Sequence, residues 1–162
     1  MRVMMTGPGQ SPLSKVILAF FYVYFVLHWI TGILMFHHKL GFSYQSVVRY
    51  FLGDPEQFMN PRSFIGLLEV THFHLFAMGL FFVVFSHLML FSPFGAPVKT
   101  ILTWLLGLSL LLDILSPWLI RYVAAPFAWV KLASFWTLQG VSLILLLGLL
   151  TALFRRRPPV NS

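Results

Sequence analysis

The chain contains no cysteine and few charged residues. Of its 162 residues, 4 are Asp or Glu and 11 are Lys or Arg, and charged residues make up 9% of the sequence, whereas about 25% is usual for soluble domains. So few charges cannot cover the surface of a water-soluble protein, and that class is excluded. The lack of cysteine excludes disulfide frameworks and thiolate metal sites. An aromatic content of 17% excludes an intrinsically disordered chain.

Apolar residues dominate what remains. They make up 59% of the sequence, and four stretches reach the length of about 20 residues that a bilayer-crossing helix needs. These predicted spans are 15–36, 61–91, 98–122 and 126–154, the second with Asn60 as its cap and Pro61 in its first turn. We therefore predict an all-α integral membrane protein: a single membrane domain, 1–162, folded as a four-transmembrane-helix bundle.

The connection between the first two spans carries a fifth predicted helix. Its apolar residues recur at the positions i, i+3, i+4, i+7 and i+8 that place them on one helical face, namely Tyr44, Val47, Val48, Phe51 and Leu52. Such an amphipathic helix is expected to lie in the plane of the membrane interface. Gly53 and the pair Asp54-Pro55 are expected to end it.

The basic residues indicate orientation rather than nucleic-acid binding, because most lie at the ends of apolar runs. One side of the membrane would carry Arg2, Lys15, Lys99, Arg155, Arg156 and Arg157, and the other Lys39, Arg49, Arg62, Arg121 and Lys131. The first side has six basic residues and the second has five. This difference, together with the dense C-terminal cluster, favours cytoplasmic N- and C-termini. We expect a multi-pass protein of the bacterial inner membrane that contacts lipid and no nucleic acid.

All six histidines fall on the first two spans: His28, His37, His38, His72, His74 and His87. At 100° per residue, His72 and His87 share a face of the second span, with Gly79 between them. His28 and His38 lie on one side of the first span, with Gly32 near the strip between them. His37 and His74 point elsewhere on this wheel. Because the two spans are antiparallel, we expect His38 to face His72 and His28 to face His87.

Ionisable residues inside membrane spans mark functional sites by default. Two imidazoles that face each other can bind a haem iron, and Gly32 and Gly79 would give the flat macrocycle room beside the helices. The pattern therefore predicts one or two b-type haems. A copper or zinc ion held by four outer histidines, with Glu69, is an alternative; these are His37, His38, His72 and His74. A structural subunit without a cofactor is another.

The histidine-bearing segments LHWITGILMFHHKLG and LEVTHFHLFAMGLFFVVFSHL resemble small b-type membrane cytochromes. These include the bacterial cytochrome b561 class and the haem-bearing anchors of quinone-linked oxidoreductases. The resemblance implies that His28, His38, His72 and His87 are axial ligands. It also implies electron transfer between quinone and a partner protein, in a subunit of a larger redox complex rather than a stand-alone enzyme.

Asp113 is the one acid deep in an apolar run, LSLLLDILSPW. An unpaired carboxylate is costly in hydrocarbon, so we expect Asp113 to be neutral, paired with Arg or His, open to a wet cavity, or bonded to Ser109 or Ser116. It could carry protons to a quinone site.

Glu69 lies near the predicted interface, one turn before His72. It could orient an imidazole, pair with Arg62, or serve the quinone site. Arg62, Arg121 and Lys39 lie at the predicted outer end, where they could contact haem propionates or act as ordinary interfacial anchors.

Overall fold

A computed structural model of the chain describes residues 12–154. Over this range the chain forms five α-helices: α1 (Pro12–Lys39), α2 (Tyr44–Leu52), α3 (Phe64–Leu90), α4 (Ala96–Tyr122) and α5 (Phe127–Phe154). A 3-10 turn at Pro55–Gln57 follows α2. Within the described range, α1, α3, α4 and α5 are long and apolar enough to cross a membrane. The predicted fold class is confirmed. Arg2 and the cluster 155–157, used for orientation, lie outside the described residues.

The centre of the fold is the hairpin of α4 and α5, which are more closely packed than any other pair of helices. Leu106 and Leu145 are fully buried between them. Helix α3 packs against α4, where a Cβ on Gly107 would lie 3.1 Å from the Phe82 ring. The indole nitrogen of Trp118 donates to Thr71 Oγ1 at 2.8 Å, which joins the same two helices near the end of the bundle that carries α2. This end is called here the outer end, after the orientation expected from the sequence.

Helix α1 lies antiparallel to α5. The Tyr22 hydroxyl donates to the carbonyl oxygen of Leu146, and the Trp29 indole donates to that of Gln139. Further out, the rings of Phe36 and Phe135 stack with centroids 3.8 Å apart. Most other side chains of α1 are exposed, so this helix is less covered by the rest of the chain than α4 or α5.

Helix α2 covers the outer end of the hairpin. Val47 and Phe51 are buried in a cluster with Ile120 and Leu132, so the predicted apolar face is the face that packs. Ser43 caps the helix through a capping box with Ser46. The predicted amphipathic helix is confirmed, and Gly53 ends it as expected.

The start of α3 differs from the prediction. Ser63, not Asn60, is the N-cap, because its hydroxyl accepts from the Gly66 amide at 3.1 Å. Asn60 is not free to start the helix, since Asp54 and Met59 pair through two backbone hydrogen bonds of 2.9 Å and the Arg62 amide donates to the carbonyl oxygen of Phe51. The chain thus returns to the end of α2 before α3 begins.

Candidate functional site

The six histidines are all exposed in the isolated chain. Three lie on α1 and three on α3, the two membrane-length helices that the rest of the bundle covers least. In the described residues there is no group of three or more His or acidic side chains that could hold a metal ion. The histidines therefore line the outside of the bundle and do not converge inside it.

One exposed face of α3 matches the sequence-based expectation. His72, Gly79 and His87 are exposed and lie within about 80° of one another around the helix axis. A Cβ on Gly79 would meet nothing within 4 Å. His74 differs from these two histidines, because its Nδ1 donates to the carbonyl oxygen of Val70 at 2.8 Å. The face formed by His72, Gly79 and His87 is called here the α3 histidine face.

The space between α1 and α3 is filled by aromatic rings at the depth of His28. Phe25 and Phe85 lie 4.8 Å apart between centroids, and Phe81 stacks on Phe85 at 4.2 Å. The His28 ring lies 6.1 Å from the Phe81 ring. Phe81 is six residues from His87, about 9 Å along α3. The expected facing of His28 and His87 is therefore not found, because phenylalanine side chains occupy the interval.

The ring contacts of the outer histidines are with neighbours on the same helix. His38 has its ring contact with His37, 5.2 Å away, and His72 has its ring contact with Phe73, 6.0 Å away. No histidine of α1 is in ring contact with a histidine of α3 within 12–154. At the depth of His28, the packed rings of Phe25, Phe81 and Phe85 leave no space for a haem between α1 and α3 of one chain.

Gly32 also differs from its expected role. A Cβ at this position would lie 3.8 Å from the side-chain nitrogen of Gln139 on α5. The glycine thus faces α5 and lets α1 approach that helix, rather than lining a space between α1 and α3.

The two arginines that were predicted to contact haem propionates make contacts within the protein. Arg121 Nε donates to the carbonyl oxygen of Arg62 at 3.0 Å, and the Arg62 guanidinium lies 4.0 Å from the centre of the Tyr50 ring. Glu69 is exposed, and the ion pairs of the described residues do not include it. The expected pairing of Glu69 with Arg62 is therefore not found.

The strongest electrostatic feature lies between α4 and α5. Lys131 Nζ is 2.8 Å from Asp113 Oδ1, with both side chains about nine-tenths buried. The same ammonium donates to the Asp113 carbonyl oxygen at 3.0 Å. The partner of Asp113 is thus a lysine rather than the expected Arg or His. Because two buried charges neutralise each other, the pair is far less costly in hydrocarbon than either charge alone.

Serines surround this ion pair. Ser134 Oγ lies 3.5 Å from Asp113 Oδ1 and donates to the Lys131 carbonyl oxygen at 3.0 Å. The Ser116 hydroxyl donates to the Asp113 carbonyl oxygen, while Ser109 donates to Leu106 instead. Ser116 was expected to contact Asp113, and it does so through the backbone. These contacts form a small polar layer inside the bundle.

Apolar clusters close this layer on both sides. Toward the outer end lie Phe51, Ile120 and Leu132, and toward the inner end lie Leu110 and Val141. The pair is therefore isolated from water on both sides by packed side chains, as expected for a charge pair that joins two helices.

The sequence predicted that Lys131 is one of the basic residues of the outer connection. It lies instead in the second turn of α5, and Asp113 lies about 14 Å from the outer end of α4. The lysine side chain therefore reaches toward the bilayer centre, not toward the nearer surface as interfacial lysines do. Both residues lie within predicted spans, Asp113 in 98–122 and Lys131 in 126–154. Two opposite charges inside neighbouring spans are therefore the sequence signal for this pair.

A family model described as a transmembrane helical domain, Aq_1264_TM, matches residues 41–160. The chain belongs to the Aq_1264_TM family. The matched region begins after the end of α1 and includes α2 to α5, so the Asp113–Lys131 pair and the α3 histidine face lie within the Aq_1264_TM domain. Comparison with curated proteins and with solved structures found no match.

Proposed function

We propose that this chain is a membrane subunit of a larger redox complex, and that the α3 histidine face binds haem b at the contact with a partner subunit. The observation that carries the proposal is that His72 and His87 are exposed on a membrane-length helix. Neither has a hydrogen bond to another described residue. An imidazole N–H left without a partner in hydrocarbon is costly. We therefore expect another molecule to bind over this face.

His72 and His87 lie about 22 Å apart along α3, so each would bind the iron of a separate haem, and Gly79 leaves the surface between them flat. When bound, a haem supplies reversible one-electron chemistry. The exposed imidazoles would provide ligands from this chain, and the aromatic cluster of Phe25, Phe81 and Phe85 would keep water away from the space beside them. We further propose that the electrons pass between the quinone pool and the partner, in the bacterial inner membrane.

The test is the optical spectrum of the native complex, purified from membranes through a tag on this chain. We expect a haem b α-band in the reduced-minus-oxidised difference spectrum. His72→Ala and His87→Ala should each weaken or abolish it.

His74→Ala is the matched control, because it removes an exposed histidine from the same helix that already has a hydrogen-bond partner. A colourless complex, or spectra unchanged in both His72→Ala and His87→Ala, would overturn the proposal. A colourless complex that still contains partner subunits would point to a structural subunit, and stoichiometric copper or zinc to a metal-binding protein.

A further inference from the structure

A cleft opens at the outer end of the bundle, where three elements meet. It has a volume of about 570 Å³ and is lined by the end of α1, by α2 and by the segment that leads into α3. Lys39, the last residue of α1, and Arg62, just before α3, both line it. The cleft thus combines two cationic side chains at the level where the spans leave the hydrocarbon.

The two cations have no carboxylate partner in the described part of the chain. The ion pairs found there are Arg49 with Asp54, 2.9 Å apart, and Lys131 with Asp113. Asp54 is therefore already neutralised, and neither Glu56, six residues before Arg62, nor Glu69 on α3 lines the cleft. Because no acid lines the cleft, its charge favours an anion.

The Arg62 side of the cleft is held in place before any ligand binds. The Arg62 amide donates to the carbonyl oxygen of Phe51 at 3.1 Å, and its own carbonyl oxygen accepts from Arg121 Nε. Its guanidinium lies over the face of Tyr50, which leaves the in-plane N–H groups to donate elsewhere. A guanidinium fixed in this way can donate two parallel hydrogen bonds to a phosphate.

The rest of the lining combines polar and apolar groups. Asn60 and Ser63 add polar groups, and Ser63 is the N-cap of α3. The positive end of this helix dipole therefore adds to the charge of Lys39 and Arg62. In a membrane protein, a cationic cleft at this depth lies where the phosphates of lipid headgroups lie.

We propose that this cleft is a binding site for the phosphate headgroup of an anionic membrane lipid. Lys39 and Arg62 bind the phosphate, and the acyl chains lie along the exposed apolar surface of α1 and α3. The site is independent of the histidines and of any haem.

The test uses the full chain in detergent, with the thermal unfolding midpoint and lipid adducts in native mass spectrometry as readouts. The probes are phosphatidylglycerol, phosphatidylcholine and inorganic phosphate. We expect phosphatidylglycerol to raise the midpoint and to stay bound more than phosphatidylcholine. Arg62→Gln and Lys39→Gln should each weaken the binding of phosphatidylglycerol about fivefold, the effect expected for one basic residue near a lipid surface.

Lys99→Gln is the control, because it removes one positive charge at the other end of the bundle, where its amine donates to Leu90. Equal binding by Arg62→Gln, Lys39→Gln and Lys99→Gln would overturn the proposal. So would equal protection by inorganic phosphate, which would assign the cleft to a soluble anion. Should Arg62→Gln fail to fold, Lys39→Gln still decides the matter, since Lys39 makes no hydrogen bond or ion pair with another described residue.

Discussion

Asp113 and Lys131 form a buried ion pair between α4 and α5, with Nζ 2.8 Å from Oδ1. The two residues are 18 positions apart in the chain and lie on the two helices of the hairpin. Because the pair is enclosed by apolar clusters, it specifies how the two helices align more strongly than a surface pair would. Each charge also makes the other tolerable inside the membrane.

Breaking this pair should destabilise the protein strongly. Lys131→Met leaves the Asp113 carboxylate buried without its cation, and removal of one partner of a buried pair typically costs about 3–5 kcal/mol. The measurement is the free energy of unfolding in mixed micelles titrated with denaturing detergent. Lys99→Met, which removes an exposed lysine, should have a much smaller effect.

The double variant Asp113→Leu with Lys131→Met should be more stable than Lys131→Met alone. Apolar replacement of both partners removes the desolvation penalty of both charges. A double variant that is no more stable than Lys131→Met would contradict this coupling. If Asp113 also transfers protons to a quinone site, the double variant would fold normally but lose electron transfer with quinone in the complex.

Trp118 and Thr71 should be energetically coupled. The indole donates to the threonine hydroxyl at 2.8 Å between α4 and α3, and a typical hydrogen bond contributes about 1 kcal/mol. Trp118→Phe, Thr71→Val and the double variant form a cycle. We expect the double variant to lose less stability than the two single variants added together; exact additivity in the unfolding titration would mean that this bond contributes nothing.

Gly148 and Gly140, both on α5, should respond differently to alanine. A Cβ on Gly148 would lie 2.6 Å from the Phe94 ring, whereas one on Gly140 would meet nothing within 4 Å. Gly148→Ala should therefore cost about 1–3 kcal/mol through overpacking, while Gly140→Ala should be neutral or stabilising. Equal unfolding midpoints for the two variants would contradict the close approach of Phe94 to α5.

The orientation can be tested directly, because the chain has no cysteine of its own. Glu56→Cys, in the connection before α3, should react with a membrane-impermeant maleimide in intact cells. Pro93→Cys, between α3 and α4, should react only after permeabilisation. The opposite pattern would place both termini outside. Assigning Lys131 to the bundle interior leaves four basic residues on the expected outer side against six on the inner, which favours the orientation with inner termini.

The helices were predictable because their signal is local. Each span is a continuous apolar run, and the predicted ends agree with α1, α3, α4 and α5 to within a few residues. The apolar spacing of Val47 and Phe51 likewise predicted which face of α2 is buried. The N-cap of α3 was wrong because it depends on a contact between Arg62 and Phe51, which no local pattern reveals.

The candidate site was predictable only in part. The helical period correctly placed His72, Gly79 and His87 on one face, but it could not tell whether that face points inward or outward. Phe25, Phe81 and Phe85 decide this, since their rings occupy the space expected for a cofactor. In a chain this apolar, every face of α1 and α3 is hydrophobic enough to be buried, so hydropathy does not distinguish the two sides.

By itself, the sequence determined that this protein has four membrane spans and an amphipathic helix between the first two, because length and hydropathy act residue by residue along the chain. Only the tertiary structure decided the partner of Asp113, the exposure of the histidines and the convergence of Lys39 and Arg62 on one cleft. These features depend on which helix lies beside which, and that order is set by the packing of distant side chains.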